Sequence, residues 1–173
     1  MQIADDIIAR DIAGLDLDCD VGCHWCCHQL VVLTCRDDGE AILDAARAAF
    51  GDARYLRFKQ QVREQAAAIG ELSYEEAETR QWTCPLLQQD SRCGVYEQRP
   101  VACRSVVSED VDCCRSMVEA TEFSQLSRHH QALAEKIGER AMRLQFAIND
   151  RRPIHGAFEL RELLAELLEA RGE

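Results

Sequence analysis

The chain has 173 residues, a formal net charge of −11 and a hydrophobic content of 47%. This apolar content is ordinary for a globular protein, which excludes a disordered chain. No basic patch offsets the excess of acidic residues, so binding to nucleic acid or to an anionic membrane surface is disfavoured.

The length fits a single domain spanning residues 1–173, with enough chain to bury a core. The N-terminus carries neither the basic region nor the apolar run of a secretory signal, and no stretch is apolar for long enough to span a bilayer. We therefore expect a cytoplasmic protein, in which thiols stay reduced. In that compartment the ten cysteines indicate metal ligands or redox groups before disulfides.

Helical periodicity dominates the first part of the chain. A short amphipathic helix is predicted over residues 5–13, with Gly14 at its end. The apolar run at residues 30–33 fits either a strand or a buried continuation of a helix. Asp37 or Asp38 is expected to cap the helix that follows.

Further helices are predicted between residues 40 and 80. The apolar spacing over residues 40–70 indicates two helices that are separated at Gly51. Ser73 and Glu76 are three residues apart and form a capping box, so a short helix is expected to begin there.

The C-terminal part, residues 116–173, is predicted to be helical throughout. A long helix is expected over residues 118–149 and a last helix over residues 157–170, whose leucines face a core. These helices carry no recognisable catalytic motif. They are expected to act as scaffold, or as a homodimer contact if their apolar stripe is wider than one core covers. The histidines in this part are interpreted as ordinary helix and loop residues: His129, His130 and His155.

The densest chemical signal lies in residues 19–28. Four cysteines fall within nine residues: Cys19, Cys23, Cys26 and Cys27. Cys-x-x-Cys spacing lets two sulfurs converge on one zinc or iron ion, and on a helix all four would share a face. Buried small hydrophobes are the alternative interpretation, but they would not require this spacing.

Adjacent cysteines set a geometric problem. Side chains such as those of Cys26 and Cys27 point about 100° apart on a helix and to opposite faces of a strand. Two neighbouring sulfurs therefore rarely chelate one tetrahedral ion. We expect the two residues to serve different metal atoms, with more than one metal atom per chain.

A second cysteine region follows at residues 84–104. It is rich in loop-forming residues and contains three cysteines: Cys84, Cys93 and Cys103. Pro100 is expected at the first position of a helix, which would place Cys103 in the first turn. At that position the helix dipole lowers the pKa of a thiol.

These motifs resemble the YkgJ-type CxxCxxCC family, described as a zinc- or iron-chelating domain. The similarity covers about residues 19–114 and lies in the first cysteine run, the apolar residues 30–34, Cys84-Pro85-Leu86-Leu87, Cys93-Gly94-Val95-Tyr96-Glu97, Arg99-Pro100, Cys103-Arg104 and a late cysteine. Relatives of the family include flagellin lysine methylases, whose cysteine region is associated with an iron–sulfur cluster. The resemblance implies eight metal ligands: Cys19, Cys23, Cys26, Cys27, Cys84, Cys93, Cys103 and Cys113.

The chain departs from the family pattern at one point and adds two cysteines. Three residues separate the first two cysteines, where the family usually has two. A helix expected to begin near residue 108 carries both Cys113 and Cys114, and the resemblance favours Cys113 as the ligand. Cys35 and Cys114 have no place in the pattern, so replacing either one is expected to leave the metal content unchanged.

Other side chains near the cysteines are candidates for supporting roles. A divalent ion held by four thiolates carries net negative charge, and Arg99 and Arg104 would offset it. Surface ion pairs of these arginines with glutamates are the alternative. Tyr96 is either a packed ring or a hydrogen-bond donor. His24 and His28 could replace a thiolate, because imidazole also binds zinc and iron.

We therefore expect a mainly α-helical, small domain with a metal-stabilised, cysteine-rich loop region at residues 15–115. The leading function is chelation of zinc or iron by about eight cysteines, in two sites or in one polynuclear cluster. Two alternatives remain open. One is an iron–sulfur-dependent enzyme of redox or methyl-transfer type, and the other is a metal-free thiol–disulfide switch. The sequence identifies no substrate and no protein partner.

Overall fold

The computed structural model describes residues 2–20, 22–28, 31–78, 80–120, 122–151 and 158–173. Within these residues the chain is mainly helical, as predicted. Its helices are α1 Gln2–Ile12, α2 Arg36–Ala49, α3 Asp52–Gly70, α4 Tyr74–Glu78, α5 Val101–Ser105, α6 Val111–Glu119, α7 Arg128–Arg151 and α8 Leu160–Ala170. Short 3₁₀ turns lie at Trp25–His28, Tyr96–Gln98 and Phe123–Gln125. None of the described helices is both long and apolar enough to cross a membrane.

One small sheet joins two distant parts of the chain. Strand β1 (Leu33–Thr34) pairs antiparallel with β2 (Phe158–Glu159), so that Leu33 lies opposite Glu159. Because β2 leads directly into α8, this pairing fixes where α8 begins relative to the cysteine run.

The main core lies between α2, α3 and α8. The leucine spacing predicted for the last helix is confirmed, since five leucines of α8 are buried: Leu160, Leu163, Leu164, Leu167 and Leu168. Each contributes about 1.5–3 kcal/mol through burial. Cys84, Cys93 and Cys103 pack against this core, which therefore supports the second cysteine region.

A second core holds α5 in place. Ala4 and Ile8 of α1 pack with Leu144 and Ile148 of α7, and Val101 of α5 joins them. The short helix that carries a cysteine is thus anchored by helices on its other side.

Several predicted elements are confirmed. The break near Gly51 separates α2 from α3, and Gly14 follows α1 with a φ of +84°, a left-handed conformation that favours glycine. The capping box is present as well. The Ser73 N–H donates to Glu76 Oε2 at 2.9 Å, and the Glu76 N–H donates to Ser73 Oγ at 3.3 Å.

Other boundaries were predicted wrongly. Cys35, rather than either aspartate, is the N-cap of α2; the aspartates lie in its first turn, where negative charge favours the helix dipole. The long helix α7 begins at Arg128, about ten residues later than expected, because Ser127 Oγ accepts from the His130 N–H at 3.1 Å. Phe158 belongs to β2 and not to the last helix. Leu30 and His155 lie outside the described residues.

Gly94 in the second cysteine region lies against the core. A Cβ added there would overlap the ring of Phe50 and approach the Leu86 carbonyl oxygen at 3.2 Å. We expect Gly94→Ala to lower the free energy of unfolding by about 1–3 kcal/mol, because overpacking displaces the ring or the loop. Urea denaturation measures this change.

Gly138→Ala is the matched control. Nothing lies within 4 Å of a Cβ added at Gly138, which lies in the interior of α7. Alanine there is expected to stabilise the helix by roughly 0.5–1 kcal/mol. Equal stabilities of the two variants would contradict the close approach at Gly94.

Candidate metal centre

All ten cysteines lie among the described residues and are present as thiols. Six of them, from three separate segments, line one cavity of about 160 Å³, which we call the inner cavity. They are Cys23, Cys26, Cys27, Cys84, Cys93 and Cys103. Apolar side chains such as Val32, Leu86 and Leu160 complete the wall.

Backbone hydrogen bonds bring the two cysteine regions together. The Cys84 N–H donates to the Cys27 carbonyl at 2.7 Å, and the Trp82 N–H donates to the His28 carbonyl at 2.9 Å. Arg54 of α3 steadies the following loop, since its guanidinium donates to the Pro85 carbonyl at 2.6 Å and to the Leu87 carbonyl at 3.1 Å. The sulfurs are therefore positioned by main-chain contacts.

Backbone N–H groups point at several sulfurs. The Ser108 N–H donates to Cys19 Sγ at 3.2 Å. Three other sulfurs accept from the N–H two residues later: Cys23 from Trp25, Cys84 from Leu86 and Cys93 from Val95. Such donors stabilise a thiolate, which is the form that binds a metal.

Burial acts against ionisation of the same thiols. It raises the pKa of Cys84 to about 11, and the charge of nearby Arg161 opposes this rise. Burial also raises the pKa of Cys103, to which Cys84 and Cys26 add by repulsion. The lowered pKa expected for Cys103 is thus wrong. Pro100 is the N-cap of a helix of only five residues, whose dipole cannot outweigh this burial.

Cys26 and Cys27 lie in the 3₁₀ turn Trp25–His28, and their thiols hydrogen-bond to each other. The Cys27 thiol donates, which lowers the pKa of Cys26 to about 7 and raises the pKa of Cys27. The nearby Arg99 guanidinium lowers the pKa of Cys26 as well. The turn therefore brings both sulfurs to one cavity, although adjacent side chains were expected to diverge.

A smaller set of sulfurs shares Cys23 with the inner cavity. We call Cys19, Cys23 and Cys114 the outer cysteine group. Burial raises the pKa of Cys114 to about 11, and repulsion from Cys19 and Cys23 adds to this rise. Cys23, Cys26 and Cys103 line both the inner cavity and a neighbouring pocket that also contains Cys19.

Two cysteines have other surroundings. Cys113 is fully buried, and its thiol donates to the His130 carbonyl at 3.5 Å. Cys35 is buried at the start of α2 and lines neither cavity. Of the eight predicted ligands, Cys113 alone lies outside both the inner cavity and the outer cysteine group.

Of the predicted supporting residues, Arg99 and Tyr96 line the inner cavity and Arg104 does not. The Arg99 guanidinium lies over the Tyr96 ring, 3.6 Å from its centre. Arg104 lines the neighbouring pocket and forms an ion pair with Asp5 of α1.

The candidate histidine ligands interact with each other. His24 Nδ1 lies 3.1 Å from His28 Nε2, and His28 Nδ1 lies 3.2 Å from Thr83 Oγ1. Neither residue is among those that line the inner cavity or the neighbouring pocket.

Arg161 of α8 was not identified from the sequence. It is 2% exposed, lines the inner cavity, and donates to Glu159 Oε1 at 2.5 Å and to Gln65 Oε1 at 2.9 Å. The leucine spacing could have predicted its burial, because Arg161 lies seven residues before Leu168, on the buried face of α8. An arginine within a leucine stripe requires a partner or a function.

The six sulfurs line a cavity and do not converge on a single centre. In the described part of the chain, no three His, Cys, Asp or Glu side chains are arranged so that they could hold a metal ion. A tetrahedral zinc site needs four ligand atoms about 2.0–2.3 Å from one centre. A polynuclear group has its own volume and separates its ligands more widely, which agrees better with the inner cavity.

Comparison with known proteins gives no match for this chain. No family model matches it, and neither does any curated protein or solved structure. The resemblance to the YkgJ-type family therefore stays a prediction.

Proposed function

We propose that the protein binds zinc or iron through its cysteines, and that the inner cavity holds a polynuclear metal centre. The observation that carries this proposal is the convergence of cysteines from three chain segments on one cavity of about 160 Å³. A cavity of about 150 Å³ admits a molecule the size of benzene, so one ion would leave most of this volume unfilled.

The residues present fit such a centre. Cys26, Cys27, Cys84, Cys93 and Cys103 provide soft sulfur ligands, which favour zinc and iron–sulfur clusters over magnesium or calcium. Iron–sulfur clusters use cysteine thiolates as their ligands, and their potentials depend on hydrogen bonds to sulfur and on exposure to solvent. When bound, such a cluster would supply electron transfer.

Charge near the cavity also supports the proposal. Several thiolates in one cavity repel each other, and a bound metal cation would remove that penalty. Arg99 and Arg161 line the same cavity and would offset the remaining negative charge. These residues would hold and tune the centre.

The test is metal analysis of the full chain after purification without oxygen. We expect more than one metal atom per chain, with visible absorption and acid-labile sulfide if the centre is iron–sulfur. A colourless protein with several zinc atoms would support the zinc form. Zinc can replace iron during heterologous expression, so metal supply must be controlled.

Two results would contradict the proposal. A single metal atom per fully loaded chain would exclude a polynuclear centre. A metal-free protein whose cysteines cycle between thiol and disulfide would support the thiol–disulfide switch instead, and counting thiols before and after a reductant detects it.

A further inference from the structure

One peptide unit joins the second cysteine region both to α3 and to the 3₁₀ turn that carries Cys27. Its N–H, which belongs to Cys84, donates to the Cys27 carbonyl at 2.7 Å. Its carbonyl, which belongs to Thr83, accepts from Gln65 Nε2 at 2.8 Å and from Gln61 Nε2 at 3.4 Å. The peptide that precedes Cys84 is therefore held on one side by α3 and on the other side by the turn.

The other end of the Gln65 side chain reaches the buried arginine of α8. Gln65 Oε1 accepts from Arg161 Nε at 2.9 Å. Arg161 lines the inner cavity and pairs with Glu159. These contacts fix the orientation of the amide, because the reversed amide would place its NH₂ against the guanidinium and its oxygen against the Thr83 carbonyl. A single side chain thus connects a cation of the cavity wall to the peptide before a cysteine of the same wall.

Gln65 is not among the residues that line the inner cavity. Its influence on the cavity therefore passes through Cys84 and Arg161. Hydrogen bonds in a chain polarise one another, so donation to the Thr83 carbonyl strengthens the bond from the Cys84 N–H to the Cys27 carbonyl. Without the amide, the peptide is free to rotate, and the two cavity cysteines then shift relative to each other.

We propose that Gln65 is a positioning residue for the metal centre, because it holds Cys84 and Arg161 in the places that a bound metal group requires. The inference rests on the proposed function, since Cys84 is a ligand only if the inner cavity binds metal. Replacing a residue that orients metal ligands without touching the metal typically weakens metal binding by about 10–100-fold.

Gln65→Leu removes both hydrogen bonds and keeps a side chain of similar size. The full-length chain is loaded without oxygen with Zn²⁺, or with Fe²⁺ where zinc does not bind, and metal affinity is measured by competition with a chelator. We expect binding that is about 10–100-fold weaker than in the wild type. Gln65→Glu should also bind metal more weakly, because it keeps an acceptor for Arg161 but cannot donate to the Thr83 carbonyl.

Two other variants of α3 separate positioning from the loss of an amide and from the loss of stability. Gln60→Leu removes an amide that donates to the exposed Glu64 at 2.8 Å. Val62→Ala leaves a gap in the main core at a fully buried position that does not line the inner cavity. It should lower the midpoint of urea unfolding. Both variants are expected to bind metal with wild-type affinity.

A measurement on the wild-type chain keeps the proposal testable if Gln65→Leu does not fold. In NMR spectra of the metal-loaded chain, removing the metal with a chelator should shift the signal of the Gln65 side-chain NH₂ group. The corresponding signal of Gln60 should stay in place, because Gln60 contacts only its own helix.

The outcomes separate this inference from the proposed function. Wild-type metal affinity in folded Gln65→Leu or Gln65→Glu, or an unchanged Gln65 signal after metal removal, overturns the positioning role and leaves the metal centre standing. Equal weakening in Val62→Ala and Gln65→Leu would show a general effect of stability and overturn the role as well. A wild-type chain that binds neither zinc nor iron overturns both proposals.

Discussion

The Cys26→Ser variant is expected to lose more metal–sulfur bonds than the Cys27→Ser variant. Cys26 lines both the inner cavity and the neighbouring pocket that contains Cys19, as Cys23 and Cys103 also do. Cys27 lines the inner cavity and is absent from the neighbouring pocket.

Metal counting combined with X-ray absorption measures this difference, because the two variants should retain different numbers of metal–sulfur bonds. Cys35→Ser is the control, since Cys35 is buried away from both groups and should keep the full complement. Equal losses in Cys26→Ser and Cys27→Ser would show that Cys26 binds no metal beyond the inner cavity.

The largest effect on stability is expected from Glu159→Ala. The Glu159 carboxylate caps α8 by accepting from the Arg161 N–H at 2.6 Å and the Glu162 N–H at 3.2 Å. It also pairs with the buried Arg161 guanidinium at 2.5 Å. Removing one partner of a buried ion pair costs about 3–5 kcal/mol, and here the buried Arg161 guanidinium loses its carboxylate partner. Denaturant unfolding of the metal-loaded protein measures the loss.

Glu166→Ala is the matched control for this prediction. Glu166 is in the same helix and pairs with Arg36 at 2.5 Å, but both side chains are about half exposed. Removing an exposed pair is expected to cost about 0.2–1 kcal/mol. Similar losses of stability in the two variants would show that the buried ion pair stabilises the protein no more than the exposed one. Adding Arg161→Met to Glu159→Ala should recover part of the stability, because the buried charge is then gone.

Local sequence patterns predicted much of the helical fold. The leucines of α8 recur at intervals of three and four residues, which predicts a helix with one buried face. The pairing of Ser73 with Glu76 predicts the start of a helix. Both signals act within a few residues, so no knowledge of the remaining chain is needed. The start of α7 was missed because apolar spacing continued across the 3₁₀ turn Phe123–Gln125.

The candidate site was predictable only in part, because only its local features can be recognised from neighbouring residues. Spacing alone identified the cysteine run, because chelation by neighbouring residues is a local property. The contact of the buried Cys113 thiol with the His130 carbonyl depends on the packing of α6 against α7, which sequence spacing does not report. Arg161 reaches the inner cavity from α8 through tertiary packing, far from every cysteine in the sequence.

The wall of the inner cavity is completed by residues that are synthesised late. Leu160 and Arg161 follow Cys114 by more than forty positions, so at about 5–20 residues per second they leave the ribosome roughly 2–9 s after it. During that interval the nascent thiols lack Leu160 and Arg161 beside them. The proposed metal centre would therefore be complete only after translation has passed α8. A ribosome stalled before Leu160 would expose these cysteines to oxidants.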